Sequence, residues 1–190
     1  MHSTSLLFLG ASITSGFGLP KELSFPYRIQ QFLKEQGSDI IILNAAVPGA
    51  TSPDGILQLR SHLQTDTKYL VIALGLGDLF FAIPPEQTEQ HLLNVIHEAK
   101  TMQNGLKIFL FANEFFQLAY FPFIEIEQEQ QFKEMFPRVA KNTKSILLPF
   151  MLKDVANQLH LNQDDMLHPN EQGMEIVTNN VWHSLKNYLL

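Results

Sequence analysis

The sequence predicts a three-layer α/β/α domain spanning 1–190, on three observations. Short apolar runs at 6–9, 39–44, 69–74, 107–111 and 145–148 alternate with longer amphipathic stretches, as strands and helices do around a parallel sheet. The second run, Ile40-Ile41-Ile42-Leu43, is continuously apolar and β-branched, the pattern expected of a strand buried on both faces. At 190 residues, 45% of them hydrophobic, the chain is long enough to bury about 70% of its unfolded surface in one core.

Each element has its own warrant. The strand at 6–9 runs into a loop rich in glycine and serine. A helix is predicted over 23–36, with Pro26 in its first turn, apolar residues at Tyr27, Ile29, Phe32 and Leu33, and Gly37 as its stop. After the strand at 39–44 and the loop at 45–52 comes a short helix, 55–63, and a third strand, 69–74. Pro84-Pro85 introduces a helix over 86–102, in which Leu92, Leu93, Val95, Ile96 and Ala99 recur at helical spacing. A strand at 107–111 is followed by an aromatic segment, 115–126, and a helix over 128–140 that Pro137 is expected to break. A short strand at 145–148 and a terminal helix over 169–188, with Pro169 in its first turn, complete the chain. Five parallel strands suit the flavodoxin-like order 2-1-3-4-5.

Composition excludes several functions. There is no cysteine, hence no disulfide, thiolate nucleophile or cysteine-held metal. A net charge of −6 without a basic run argues against nucleic acid as partner. No stretch approaches the roughly 18 unbroken apolar residues of a membrane span. His2, His62, His91, His97, His160 and His183 show no metal-ligand spacing, and are expected to be surface or packing residues. No metal and no cofactor are expected. Localisation stays open: cytoplasmic if Met1 is the native start, periplasmic if an export signal was removed.

In such a sheet the carboxyl ends of the strands meet ligands. The first ends in Gly10-Ala11-Ser12, placing a hydroxyl on a rigid scaffold as a nucleophile, a phosphate ligand or an ordinary turn serine. Gly49 follows the second strand, Gly77-Asp78 the third, and Asp165 and His168 come from the loop before the last helix. An aspartate three residues before a histidine places both side chains on one face of a helical turn. The carboxylate can then hold imidazole Nδ1–H and leave Nε2 to take a proton from a serine, which needs such a base because it is a weak nucleophile alone. A helix cap beside a surface histidine is the alternative.

Taken in order, residues 10–18 (GASITSGFG), 44–52 (NAAVPGATS), 75–78 (GLGD) and 165–170 (DMLHPN) resemble the sequence blocks of the GDSL or SGNH hydrolases. The likeness is greatest to the bacterial arylesterase/thioesterase I/lysophospholipase branch. The resemblance covers nearly the whole chain and implies the SGNH hydrolase fold. It implies Ser12 as nucleophile, His168 as general base and Asp165 as its orienting partner, with the N–H groups of Ser12 and Gly49 as oxyanion donors. Two positions depart from the family pattern: Ala11 stands where an aspartate is usual, and Gly77 where an asparagine amide supplies a third donor. Losing one such donor costs about 10²–10³ in kcat. Asn113, expected at the end of the fourth strand, is a candidate replacement. Phe80, Phe81, Phe115 and Tyr120 are expected to line a substrate pocket, or else to cover the sheet or a dimer interface.

The leading reading is a serine hydrolase acting on acyl esters or thioesters of small molecules or lysolipids. A catalytically weakened relative that binds acyl ligands is the second. A phosphate or flavin binder using the hydroxyls of 12–16 is the third, and it leaves Asp165 and His168 without a role.

Overall fold

A computed structural model describes residues 4–113 and 126–190. Five parallel strands, β1 (Ser5–Gly10), β2 (Ile41–Asn44), β3 (Thr67–Ala73), β4 (Lys107–Phe111) and β5 (Ile146–Leu148), form one sheet in the order β2-β1-β3-β4-β5. The helices are α1 (Ser12–Ser15), α2 (Phe25–Glu35), α3 (Gly55–His62), α4 (Leu76–Phe80), α5 (Pro85–Met102), α6 (Ile126–Thr143) and α7 (Glu171–Leu189).

The layers follow from alternation along the central strand. All six residues of β1 are buried. Leu6 and Phe8 join a cluster with Ile29 and Leu33 of α2 and Val177 and Val181 of α7. Leu7 and Leu9 face the other way, into Leu59 of α3, Val95 and Ile96 of α5, and Phe136 of α6. A strand sandwiched between two helical layers needs apolar side chains at every position, and residues 6–9 read that way.

The second strand departs from this expectation. Ile41 is 43% exposed, because β2 lies at the edge of the sheet and pairs only with β1. The predicted helix over 23–36 divides into a 3₁₀ turn, Lys21–Leu23, and α2. Ser24 separates them in an extended conformation, its hydroxyl donating to the Lys21 carbonyl at 2.7 Å.

Pro137 does not break α6, which continues to Thr143. Pro137 and Lys133 lie on the exposed side, where water can satisfy the carbonyl that the missing N–H leaves free. Phe132, Met135, Phe136 and Val139 are buried on the other side and hold the helix to the sheet. Pro169 lies outside α7. Asn170 caps that helix by accepting from Gly173 N–H at 3.0 Å, a stronger start signal than a proline alone, while Pro169 bridges to Asn162 just before it.

Candidate active site

The carboxyl edge of the sheet carries the chemistry-bearing loops. Gly10 ends β1, and a Cβ there would meet Thr14 Oγ1 at 2.4 Å, so only glycine allows the chain to turn this sharply into α1. The buried amide of Gln58 braces the turn, donating to Gly10 O and accepting from Gly10 N–H, each at 2.9 Å. Ser12 is the first residue of α1, and N–H groups in the first turn of a helix have no intrahelical acceptor. The helix stops at Gly16 in the left-handed region.

Gly49 is also left-handed, with φ of 81°, in a turn closed by Ala50 N–H to Val47 O at 3.1 Å. The loop is pinned beyond that turn by Asp78. This fully buried carboxylate accepts from Ser52 N–H at 2.9 Å, Ser52 Oγ at 2.5 Å and Thr88 Oγ1 at 2.9 Å. Having given its one proton to Asp78, Ser52 Oγ can only accept from His91 Nδ1, 2.9 Å away. Ser52, Asp78 and His91 thus share hydrogen bonds, but the serine stands between acid and base and is fully buried. The cluster joins two loops. The sequence places Asp78 at the end of the third strand without giving it this role, and it does not point to Gln58 at all. Asp78 was visible as the last residue of its motif, whereas Gln58 carried no local signal.

His168 and Asp165 meet through a turn in which Met166 is left-handed, with φ of 61°, rather than through helical spacing. Asp165 Oδ1 accepts from the N–H groups of Leu167 at 3.0 Å and His168 at 2.9 Å. Asp165 Oδ2 lies 2.6 Å from His168 Nδ1. Partial burial pushes the Asp165 carboxyl up, but the bonds from His168 Nδ1, His168 N–H and Leu167 N–H, with the charge of His168, together outweigh it and leave it below its ordinary value. With Nδ1 turned to the carboxylate, Nε2 is the ring nitrogen left with an unused lone pair. It is buried and has no hydrogen-bond partner among the described residues. The Phe17 ring covers the imidazole, centroid to centroid 4.8 Å.

Ser12, Gly49, Gly77, Asn113 and His168 all line one cavity of about 320 Å³, with Phe17, Phe80 and Phe81 among its apolar walls. Asp165 stands behind His168. Phe115 and Tyr120 lie outside the described residues. Gly77 turns its missing side chain toward the Gly49 loop: a Cβ there would lie 3.0 Å from Ala50 O. Among the described residues no group of three His, Cys, Asp or Glu side chains could hold a metal ion, and no helix is long and apolar enough to cross a membrane.

A parallel sheet in this order, with such a cavity at its carboxyl edge, fits the class of acyl-ester hydrolases. The GDSL-like Lipase/Acylhydrolase family model matches residues 8–176, and the chain belongs to that family. Among its relatives are an arylesterase of Vibrio mimicus, 28% identical over 98% of this chain and 90% of the relative, and esterase TesA of Pseudomonas aeruginosa, 30% identical over 97% and 89%. The solved structure of TesA superposes with a TM-score of 0.85 at 27% identity, covering 98% of this chain and 100% of that one.

Proposed function

We propose that the chain, acting as one domain, hydrolyses acyl esters and thioesters of small molecules or lysolipids through Ser12, His168 and Asp165. The observation that carries this reading is Nε2 of His168. A buried imidazole nitrogen without a partner costs about 1–3 kcal/mol; this one has none among the described residues, its ring is held by Asp165 on the far side, and His168 lines the same cavity as Ser12. Such an atom has a use when substrate is bound: a catalytic hydrogen bond is often absent until then.

In the proposed reaction Ser12 Oγ attacks the acyl carbonyl while His168 Nε2 takes its proton. Asp165 stabilises the imidazolium that forms. The N–H groups of Ser12 and Gly49 face the oxyanion, and His168 returns the proton to the departing alkoxide or thiolate. Water then repeats the sequence on the acyl-enzyme. Phe17, Phe80 and Phe81 suit an apolar acyl chain, each buried methylene contributing about 0.8 kcal/mol. Gly77 brings no amide to the oxyanion, so the reaction is expected to be slow unless Asn113, which lines the same cavity, supplies one.

Labelling with a fluorophosphonate probe and turnover of nitrophenyl esters of increasing length test the reading. Both should vanish in Ser12→Ala, and Asn113→Ala should slow turnover if its amide contributes. Retained turnover in Ser12→Ala would remove Ser12 from the mechanism. The missing side chain at Gly77 favours a second reading, an acyl-binding relative with little hydrolysis. Binding of a fatty acid without labelling would select it.

A further inference from the structure

We infer that Gln163 is a positioning residue that holds the Ser12 loop and the His168 loop at a fixed separation; the inference rests on the reading of Ser12 and His168 given above. These two residues come from opposite ends of the chain, and the mechanism needs Nε2 within about 2.6–3.2 Å of Oγ in the reacting complex. An error of 1 Å in such a separation can cost 10²-fold.

Gln163 touches both loops. Its backbone N–H donates to His168 O at 2.8 Å, and its carbonyl accepts from Met166 N–H at 2.9 Å, so its main chain closes the turn that carries His168. Its side-chain amide has two protons. Nε2 donates to Pro169 O at 3.0 Å on the histidine side and to Phe17 O at 2.9 Å on the serine side. Phe17 N–H in turn donates to Ser12 O at 3.0 Å. A continuous hydrogen-bonded path therefore runs from the backbone of Ser12, through Phe17 and Gln163, to the backbone of His168. The approach is close because residue 18 is glycine, with φ of 80°: a Cβ there would lie 2.3 Å from Gln163 Oε1. Phe17, held at its carbonyl by Gln163, packs its ring on the imidazole.

The main-chain bonds of residue 163 do not depend on its side chain, so the two roles separate by mutation. Gln163→Glu keeps the size but sets carboxylate oxygens against two carbonyls, and Gln163→Ala removes the tie without repulsion. We expect kcat for a short nitrophenyl ester to fall about 10–100-fold in both, with KM within about twofold and the rate of fluorophosphonate inactivation reduced by the same factor as kcat. The downfield proton resonance of His168 Nδ1–H against Asp165 should persist, because that pair is untouched. Unchanged kcat in both variants overturns the proposal, as does a loss of kcat that accompanies loss of that resonance, which would mean a damaged turn. Ser12→Ala run alongside separates the levels. An inactive Ser12→Ala with fully active Gln163 variants refutes only the positioning role, whereas an active Ser12→Ala refutes the mechanism and this inference together.

Discussion

Replacing Gly77 with asparagine tests the oxyanion hole directly. An amide at this position would add a third donor beside the N–H groups of Ser12 and Gly49, and such a donor contributes about 10²–10³ in kcat, roughly 3–4 kcal/mol. The backbone permits a side chain, since Gly77 lies within α4 and has no left-handed φ. Space is the obstacle. The new Cβ would sit 3.0 Å from Ala50 O, so that carbonyl must yield by a few tenths of an ångström. It cannot yield toward Ser52, which the buried Asp78 carboxylate pins. The displacement passes instead toward Gly49, whose N–H is a proposed donor. Overpacking of this kind costs about 1–3 kcal/mol of stability. We therefore expect Gly77→Asn to raise kcat by about 10–100-fold, short of the full value, and to lower Tm by several degrees. Gly77→Ala is the control, because it brings the same Cβ without the amide: Tm should fall equally and kcat should not rise. Steady-state kinetics on a nitrophenyl ester and thermal unfolding of the three proteins decide the matter. If Gly77→Ala raised kcat as much as Gly77→Asn, the gain would not come from the amide. If neither rose while both lost the same stability, the missing donor would not be what limits the rate.

Asp165→Asn should lower kcat by about 10³–10⁴, because an amide facing His168 favours the wrong tautomer, while Asn Oδ1 can still accept from Leu167 and His168 N–H; a fall of less than tenfold would remove Asp165 from the mechanism. The same carboxyl has a lowered pKa in the folded state, so its stabilisation is present above the ordinary carboxylate value and is lost as pH falls through the lowered one. The Tm difference between wild type and Asp165→Asn should therefore be full at neutral pH, begin to shrink as pH falls through the ordinary carboxylate value and close below the lowered one, as acid-range melts would show. Asp78→Asn turns an NH₂ toward donors that now meet a carboxylate. It should cost about 3 kcal/mol, roughly 6–12 °C in Tm, and a shift under 2 °C in calorimetry would show that the buried network is dispensable.

The alternation of apolar runs and amphipathic stretches was enough to determine a parallel α/β/α fold, because hydrophobic period is set by which neighbours a residue must face within its own element. The pairing of Asp165 with His168 was legible because the two lie only three positions apart. The turn that joins them, with Met166 left-handed, was not legible, since no glycine marks it. Ile41 reads as a buried strand residue, yet its exposure depends on β2 being outermost, which is a property of the whole sheet. Pro137 reads as a helix breaker, yet packing on one side and water on the other carry α6 past it. The braces of the candidate site are the furthest from sequence. Gln58 meets Gly10, Ser52 meets Asp78 and Gln163 meets Phe17 across 48, 26 and 146 residues. Glutamine and serine have no periodicity that announces such partners. Only when the strands are ordered and the loops converge at one edge does a buried amide or carboxylate find the backbone groups that it alone can satisfy.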